Sequence, residues 1–215
     1  HASFRLGKDD TALTLTDMQN RAIDALTPVA LTQNVSYGRS QEDSAKWLYY
    51  PRPTPGAVND TPGFDSLMTS TPGSTAYVSE AMAANDATWK NGAGEYCDWI
   101  ELSNPTGQPI ALGGWRLSDD ETDLDKYRIP DGVQLAPGEC LLLYGGAEKT
   151  TKGEIYLPFA LSAQGETLFL SDADGFLVDV FSTGRQGAGV SRGRGTDDLT
   201  ARVFFEAPSP GQPNP

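Results

Sequence analysis

The sequence predicts an all-β chain folded as an antiparallel sandwich or barrel, and three observations predict it. About eight short apolar stretches recur at close spacing with turn signals between them. Glycine and proline are abundant, 23 and 15 of 215 residues, while the hydrophobic fraction is only 38%. Many turns and short strands suit those numbers better than a helical globule. Helical periodicity is thin. Residues 17–26 offer it, but the stretch aligned with them by the repeat described below, 172–181, reads better as a hairpin turn and strand.

The elements follow in order. Residues 76–83 (AYVSEAMA) form a short, mixed strand. Residues 95–104 (EYCDWIELSN) alternate, with Tyr96, Ile100 and Leu102 on one face and Cys97, Trp99 and Glu101 on the other. Strands follow at 110–118 (IALGGWRLS), 126–129 (KYRI), 139–144 (ECLLLY), 166–171 (ETLFLS), 176–181 (FLVDVF) and 202–206 (RVFFE). Asn104-Pro105-Thr106-Gly107, Pro130-Asp131-Gly132, Ala136-Pro137-Gly138 and Asp172-Ala173-Asp174-Gly175 are the turn signals between them.

Laid over itself at an offset of 155 residues, the chain matches without a gap from Phe4 to Asn59. Leu13, Leu15, Asp17, Asp24, Ser36, Gly38 and Arg39 recur at Leu168, Leu170, Asp172, Asp179, Ser191, Gly193 and Arg194. Pro53, Pro55, Gly56 and Asn59 recur at Pro208, Pro210, Gly211 and Asn214. A unit this long is a domain, since solenoid repeats run about 20–50 residues. Residues 1–59 then read as the C-terminal part of a first domain and 76–215 as a complete second one. Between them, 60–75 (DTPGFDSLMTSTPGST) read as a linker through which Phe64, Leu67 and Met68 could bring the neighbours together. Half a sandwich exposes strand edges and an apolar face. Lost upstream sequence would explain this, as would a strand-exchanged dimer through residues 1–59 or packing onto the complete copy; the first is the favoured reading.

The net charge is −13, with −2 over residues 1–75 and −11 over 76–215. Such an acidic surface repels phosphate backbones and makes nucleic acid a poor partner. No run of 18 apolar residues is present, so membrane insertion is not expected, and no leader is visible in a chain that opens inside a domain. Cys97 and Cys140 each begin a strand, and the two strands run in opposite directions, which puts the thiols at opposite ends of the sandwich. That is too far for a bridge, whose Cα atoms lie about 4.4–6.8 Å apart. Two free, buried thiols are expected, which leaves the redox compartment open.

A set of motifs runs in order along residues 76–214. They begin with Asp98-Trp99-Ile100-Glu101-Leu102-Ser103-Asn104 and Leu112-Gly113-Gly114-Trp115-Arg116-Leu117-Ser118-Asp119. Ile129-Pro130, Leu135-Ala136-Pro137-Gly138-Glu139 and Phe159-Ala160-Leu161-Ser162 follow, then Gly165-Glu166, Leu170-Ser171-Asp172 and Val178-Asp179. Ser191-Arg192-Gly193-Arg194 and Pro208-Ser209-Pro210-Gly211 with Asn214 close the set, and the closing pattern returns at 36–39 and 53–59. Together these motifs resemble a lamin-tail domain, and the resemblance implies an immunoglobulin-like antiparallel β-sandwich of bacterial type, without catalytic apparatus or cofactor, used for attachment and protein contacts.

Asp119-Asp120-Glu121-Thr122-Asp123-Leu124-Asp125 is dense enough in carboxylates for Ca²⁺, but Leu124 stands where an EF-hand loop requires glycine, and a solvated acidic loop is favoured. Asp172-Ala173-Asp174-Gly175 reads as a turn, because Gln19-Asn20 replaces Asp174-Gly175 in the first copy. Asp179 with Arg194, and Asp24 with Arg39, read as ion pairs pinning the last strands, with recognition of an anionic ligand as the functional alternative. Residues 184–195 (GRQGAGVSRGRG) are similar to RNA-binding tracts but read as a flexible strand connection. Residues 145–150 (GGAEKT) lack the glycine a phosphate loop places before its lysine.

Trp89, Trp99 and Trp115, with Tyr96 and Tyr127, could form a sugar-stacking platform. Packing is favoured for them, with Trp115 in the core and Trp89 and Trp99 as the ones open to solvent. With His1 as the only histidine, neither a Ser-His-Asp triad nor a histidine-based zinc site can be assembled from this chain. The expectation is a non-enzymatic interaction module of a larger secreted or surface-attached bacterial protein. It would have no metal and no cofactor and would meet a protein or cell-envelope component. The alternative is a carbohydrate- or calcium-binding sandwich accessory to an enzyme.

Overall fold

The computed structural model describes residues 6–7, 12–31, 34–66 and 74–215; Leu67 and Met68 of the expected linker contact lie outside them. Sixteen strands and no helix are present among the described residues. The first four are β1 (Leu13–Thr16), β2 (Ala22–Leu26), β3 (Ser36–Arg39) and β4 (Trp47–Tyr50). Then come β5 (Tyr77–Met82), β6 (Asp98–Ser103), β7 (Ile110–Ala111), β8 (Arg116–Ser118), β9 (Tyr127–Arg128) and β10 (Gln134–Leu135). The last six are β11 (Cys140–Gly145), β12 (Ile155–Tyr156), β13 (Thr167–Ser171), β14 (Leu177–Ser182), β15 (Ser191–Arg194) and β16 (Arg202–Phe205).

A six-stranded sheet in the order β12-β11-β6-β5-β15-β16 and a four-stranded sheet in the order β14-β13-β8-β9 make up an immunoglobulin-like sandwich. Its pairings are antiparallel apart from β11 with β12. Val78, Ile100, Leu102 and Leu143 of the larger sheet meet Leu117, Leu168, Leu170 and Phe181 of the smaller in one core, which also holds Trp115. Alternation along each strand delivers these side chains to one face.

The stretch 110–118, read as one strand, is two. Leu112 and Gly113 donate to the Val133 carbonyl, and Gly114 turns the chain at φ 84° before β8 begins. Gly113 lies so close to the 130–132 backbone that a Cβ there would stand 3.1 Å from Asp131 Cα. A side chain would require that backbone to give by a few tenths of an ångström.

Alternation in β6 did not mark a wet face, because both faces are covered. Ile100 and Leu102 enter the main core, while Trp99 joins Met82, Cys97 and Tyr144 in a second cluster on the other side. Trp99 is 0% exposed, which corrects its reading as solvent-facing. Residues 184–195, read as a flexible connection, contain β15, an inner strand of the larger sheet. Gly193 is needed there for close approach, since a Cβ would lie 2.7 Å from both Asn214 Nδ2 and the Ser79 carbonyl oxygen. That glycine serves packing.

The 155-residue sequence offset is also a structural offset. Leu13 pairs with Leu26 and Leu15 with Asp24, as Leu168 pairs with Phe181 and Leu170 with Asp179, and the register slips after Leu15 as it does after Leu170. Ser36 faces Tyr50 and Arg39 faces Trp47, as Ser191 faces Phe205 and Arg194 faces Arg202. The turn at Asp17 is a hairpin turn in both places. Asp17 Oδ1 accepts from the Gln19 and Arg21 amides, and Asp172 Oδ1 from those of Asp174 and Phe176. That removes the helical alternative for 17–26. Asp43 and Asp198, a matching pair overlooked in the sequence, each take the amide two residues on at 2.9 Å.

Residues 34–52 lean on the outer face of the four-stranded sheet. Val35 and Tyr49 pack with Leu124, Phe169, Leu177 and Val180. Arg52 bonds Asp172 at 2.6 Å and lies over the Phe176 ring, while Asn34 Nδ2 donates to the Gly175 carbonyl at 2.9 Å. Of the three arrangements expected for residues 1–59, packing onto 76–215 is the one these contacts match, and they bear on the apolar surface of the N-terminal stretch. They cover only part of it, because Leu6, Leu15 and Ile23 remain exposed.

Candidate interaction surface

The expected pair of Asp179 and Arg194 lies between β14 and β15, at 2.7 Å and with both side chains 1% exposed. Three elements converge on it. Asp179 Oδ2 accepts the Val78 amide of β5 at 2.8 Å, and Arg194 Nε donates to the Val78 carbonyl at 3.1 Å. Arg194 also donates to the Leu199 carbonyl at 2.6 Å. A buried pair of opposite charges is tolerable when its remaining polar atoms are bonded in this way. It fastens the two sheets together and leaves no face for an anionic ligand.

A second buried polar group was missed in the sequence. Glu80 and Glu101 are cross-strand partners on β5 and β6, and both are fully buried. Glu101 accepts from Ser79 Oγ at 2.6 Å and from the Gly211 amide at 2.6 Å, while Glu80 accepts from Ser191 and Ser209 hydroxyls. The pair thereby holds the 208–214 segment over the outer face of the larger sheet, where Asn214 Nδ2 bonds the Ser79 and Arg194 carbonyls. Burial pushes Glu101 up to about 7, and burial also raises Glu80. The available signal was two glutamates inside otherwise apolar strands, and residues 1–59 hold no counterpart to reveal them.

A family model described as the Lamin Tail Domain matches residues 69–185, more than half of the chain. The chain belongs to the lamin tail domain family. The match ends before β15 and β16, yet both are strands of the lamin-tail sandwich. The family is one of non-enzymatic, immunoglobulin-like interaction domains. No curated protein matches the chain.

Elsewhere on this lamin-tail domain the acidic loop is organised around Leu124, which is buried in the cluster shared with Val35. Its carboxylates are engaged locally. Asp119 bonds Lys126, Asp125 bonds Arg116, and Asp120 accepts the Thr122 amide at 2.8 Å and hydroxyl at 2.7 Å. The Thr122 bonds hold Asp120 below the ordinary carboxylate range. No group of three or more potential metal ligands is gathered among the described residues.

The aromatic residues do not form one platform. Trp115 is in the main core with Tyr127 against it, and Trp99 is in the second cluster. Trp89 is 38% exposed and donates Nε1–H to the Tyr144 hydroxyl at 3.2 Å; Tyr96 is 41% exposed beneath Lys90.

In the glycine-rich stretch, Arg192 covers the Phe204 ring and Arg194 is buried, which leaves Arg185 exposed. Gln186 bonds the Ala83 amide and the Ala81 and Thr183 carbonyls, fixing the end of β5. In the glycine-lysine loop the Glu148 and Lys149 amides donate to the Glu95 carboxylate at 3.0 and 2.9 Å, so that an acidic group occupies the place a phosphate would take. Cys97 and Cys140 are free, at opposite ends of neighbouring strands; Cys97 is buried as expected, Cys140 only half-buried. Burial raises their thiols to about 11 and about 12, which keeps the reactive thiolate scarce at neutral pH.

Proposed function

We propose that this lamin-tail chain is an attachment module of a larger secreted or surface-attached bacterial protein, acting outside the cell on a protein or cell-envelope component. Residues 1–59 are read as the C-terminal part of a first lamin-tail copy, 60–75 as a linker and 76–215 as the complete second copy. One observation carries the reading: the charged groups within the sandwich, Glu80, Glu101, Asp179 and Arg194, are all buried and bonded to the segments they hold together. Recognition then falls to the outer surface, which stays strongly acidic: residues 76–215 carry a formal −11, and only −2 of it belongs to those four buried groups. Such a field favours a partner with a basic patch and disfavours nucleic acid.

Co-sedimentation with purified bacterial envelope fractions tests this reading. The chain should pellet with protein-bearing envelope, lose that retention after protease treatment of the envelope, and bind less as salt rises. Retention that survives protease but is abolished by glycan-degrading enzymes would contradict it, as would a chain that stays in the supernatant with every fraction.

A further inference from the structure

The offset of 155 residues allows each group in the second repeat to be compared with its counterpart in the first. In the second repeat, β5 lies beside β15, and five side chains hold it. Asp179 takes the Val78 amide, Arg194 Nε the Val78 carbonyl, and Asn214 the Ser79 carbonyl. Ser191 and Ser209 hold the Glu80 carboxylate. The counterparts in the first repeat are Asp24, Arg39, Asn59, Ser36 and Thr54, all identical apart from a hydroxyl-preserving Ser-to-Thr change.

These counterparts are also arranged alike. Arg39 bonds Asp24 and the Ser44 carbonyl, as Arg194 bonds Asp179 and the Leu199 carbonyl. Asn59 Nδ2 donates to the Arg39 carbonyl at 2.8 Å, as Asn214 does to that of Arg194. Thr54 Oγ1 bonds Asn59 Oδ1 as Ser209 Oγ bonds Asn214 Oδ1. What differs is the strand they hold. Among the described residues β3 pairs with β4 alone, and the Asp24 and Arg39 side chains are 49% and 37% exposed.

Alongside β3 runs an apolar groove of about 430 Å³ lined by Leu6, Leu13, Leu26, Val29, Leu31 and Val35. Leu161, Leu168 and Phe181, the counterparts of Leu6, Leu13 and Leu26, are core residues of the sandwich.

We infer that β3 and this groove form a seat for an added β-strand of the β5 type. The occupant is an extended segment from a polypeptide that carries the front half of a lamin-tail unit. Its chemistry is specified by the receptor: an apolar residue presents its amide to Asp24 and its carbonyl to Arg39. Two residues later a glutamate meets Ser36 and Thr54. Main-chain pairing supplies affinity, and the buried glutamate supplies selectivity. A β5 strand swapped out of a second copy is disfavoured, because β5 is buried along its whole length between β6 and β15, and extracting it would open the main core.

The test titrates a synthetic peptide with the sequence of residues 74–83 into the full chain, following backbone amide resonances. Saturable shifts at Tyr37, Gly38 and Arg39, with Gly193 and Arg194 unmoved, are expected. Binding should weaken at least tenfold with Asp24→Ala in the chain, and again with leucine in place of glutamate in the peptide. Ser36→Ala with Thr54→Ala offers a milder receptor change, which should remove only the glutamate preference. Absence of saturable shifts, or binding indifferent to all of these substitutions, overturns the seat. Concentration-dependent dimers that exclude the peptide overturn this choice of donor in favour of a second copy.

Discussion

Asp179 and Asp24 are the same residue of the repeat in two environments, and the difference sets what each contributes. Asp179→Ala would strand Arg194 in the core and orphan the Val78 amide, a loss of about 3–5 kcal/mol by the measure of broken buried pairs. Asp24→Ala removes a partner from a half-exposed pair and should cost about 0–1 kcal/mol. Urea unfolding of the two variants measures the contrast. Both pairs were legible in the sequence because the repeat doubled them, whereas their unequal burial was not, since it depends on whether β5 is alongside.

Glu101 governs the pH dependence. Its folded-state value, about 7, lies above the ordinary 4.5, and half-buried Asp98 is raised by desolvation to about 6 from 3.8. Folding therefore favours the protonated carboxyls. Their contribution is fully present below about pH 4 and is lost as pH rises through 6 and then 7. Glu101→Gln should flatten the upper part of that decline in a series of melts from pH 4 to 8.

At the scale of elements, alternation and turn residues made the longer strands readable, and β13 and β14 fall where the sequence placed them. Two-residue strands such as β10 and β12 carry too little pattern to be seen. β15 was obscured because its glycine answers to Asn214 and Ser79, which lie far away in the chain. The acidic loop taught a similar lesson: its informative residue was the single leucine among the acids. Leu124→Ala removes a buried anchor and should cost about 2–5 kcal/mol, with the 119–125 amides losing exchange protection. Because Asp119 and Asp125 are held by Lys126 and Arg116, millimolar Ca²⁺ should leave the melting temperature unchanged; a rise reversed by chelator would contradict the loop's assignment.

At the scale of the molecule, the sandwich carries on its flank strands whose pairing registers repeat those of β13–β16. The sequence exposed the repeat but not the resting place of its first copy, because the cluster of Val35, Tyr49, Leu177 and Val180 joins residues with no shared motif. Val35→Asp would put a charge into that cluster and should release residues 12–64 from the flank. Small-angle scattering should then show a larger radius of gyration while the sandwich keeps its own unfolding midpoint.

Amide hydrogen exchange on the intact chain bears most directly on the central claim, that among the described residues β5 closes one set of strands and no strand does so for its counterpart. Each residue of β1–β4 has an internal standard 155 positions on. Protection in β13–β15 should approach that of global unfolding, while the matching amides of β1–β3 exchange orders of magnitude faster. Equal protection at the paired positions would contradict it.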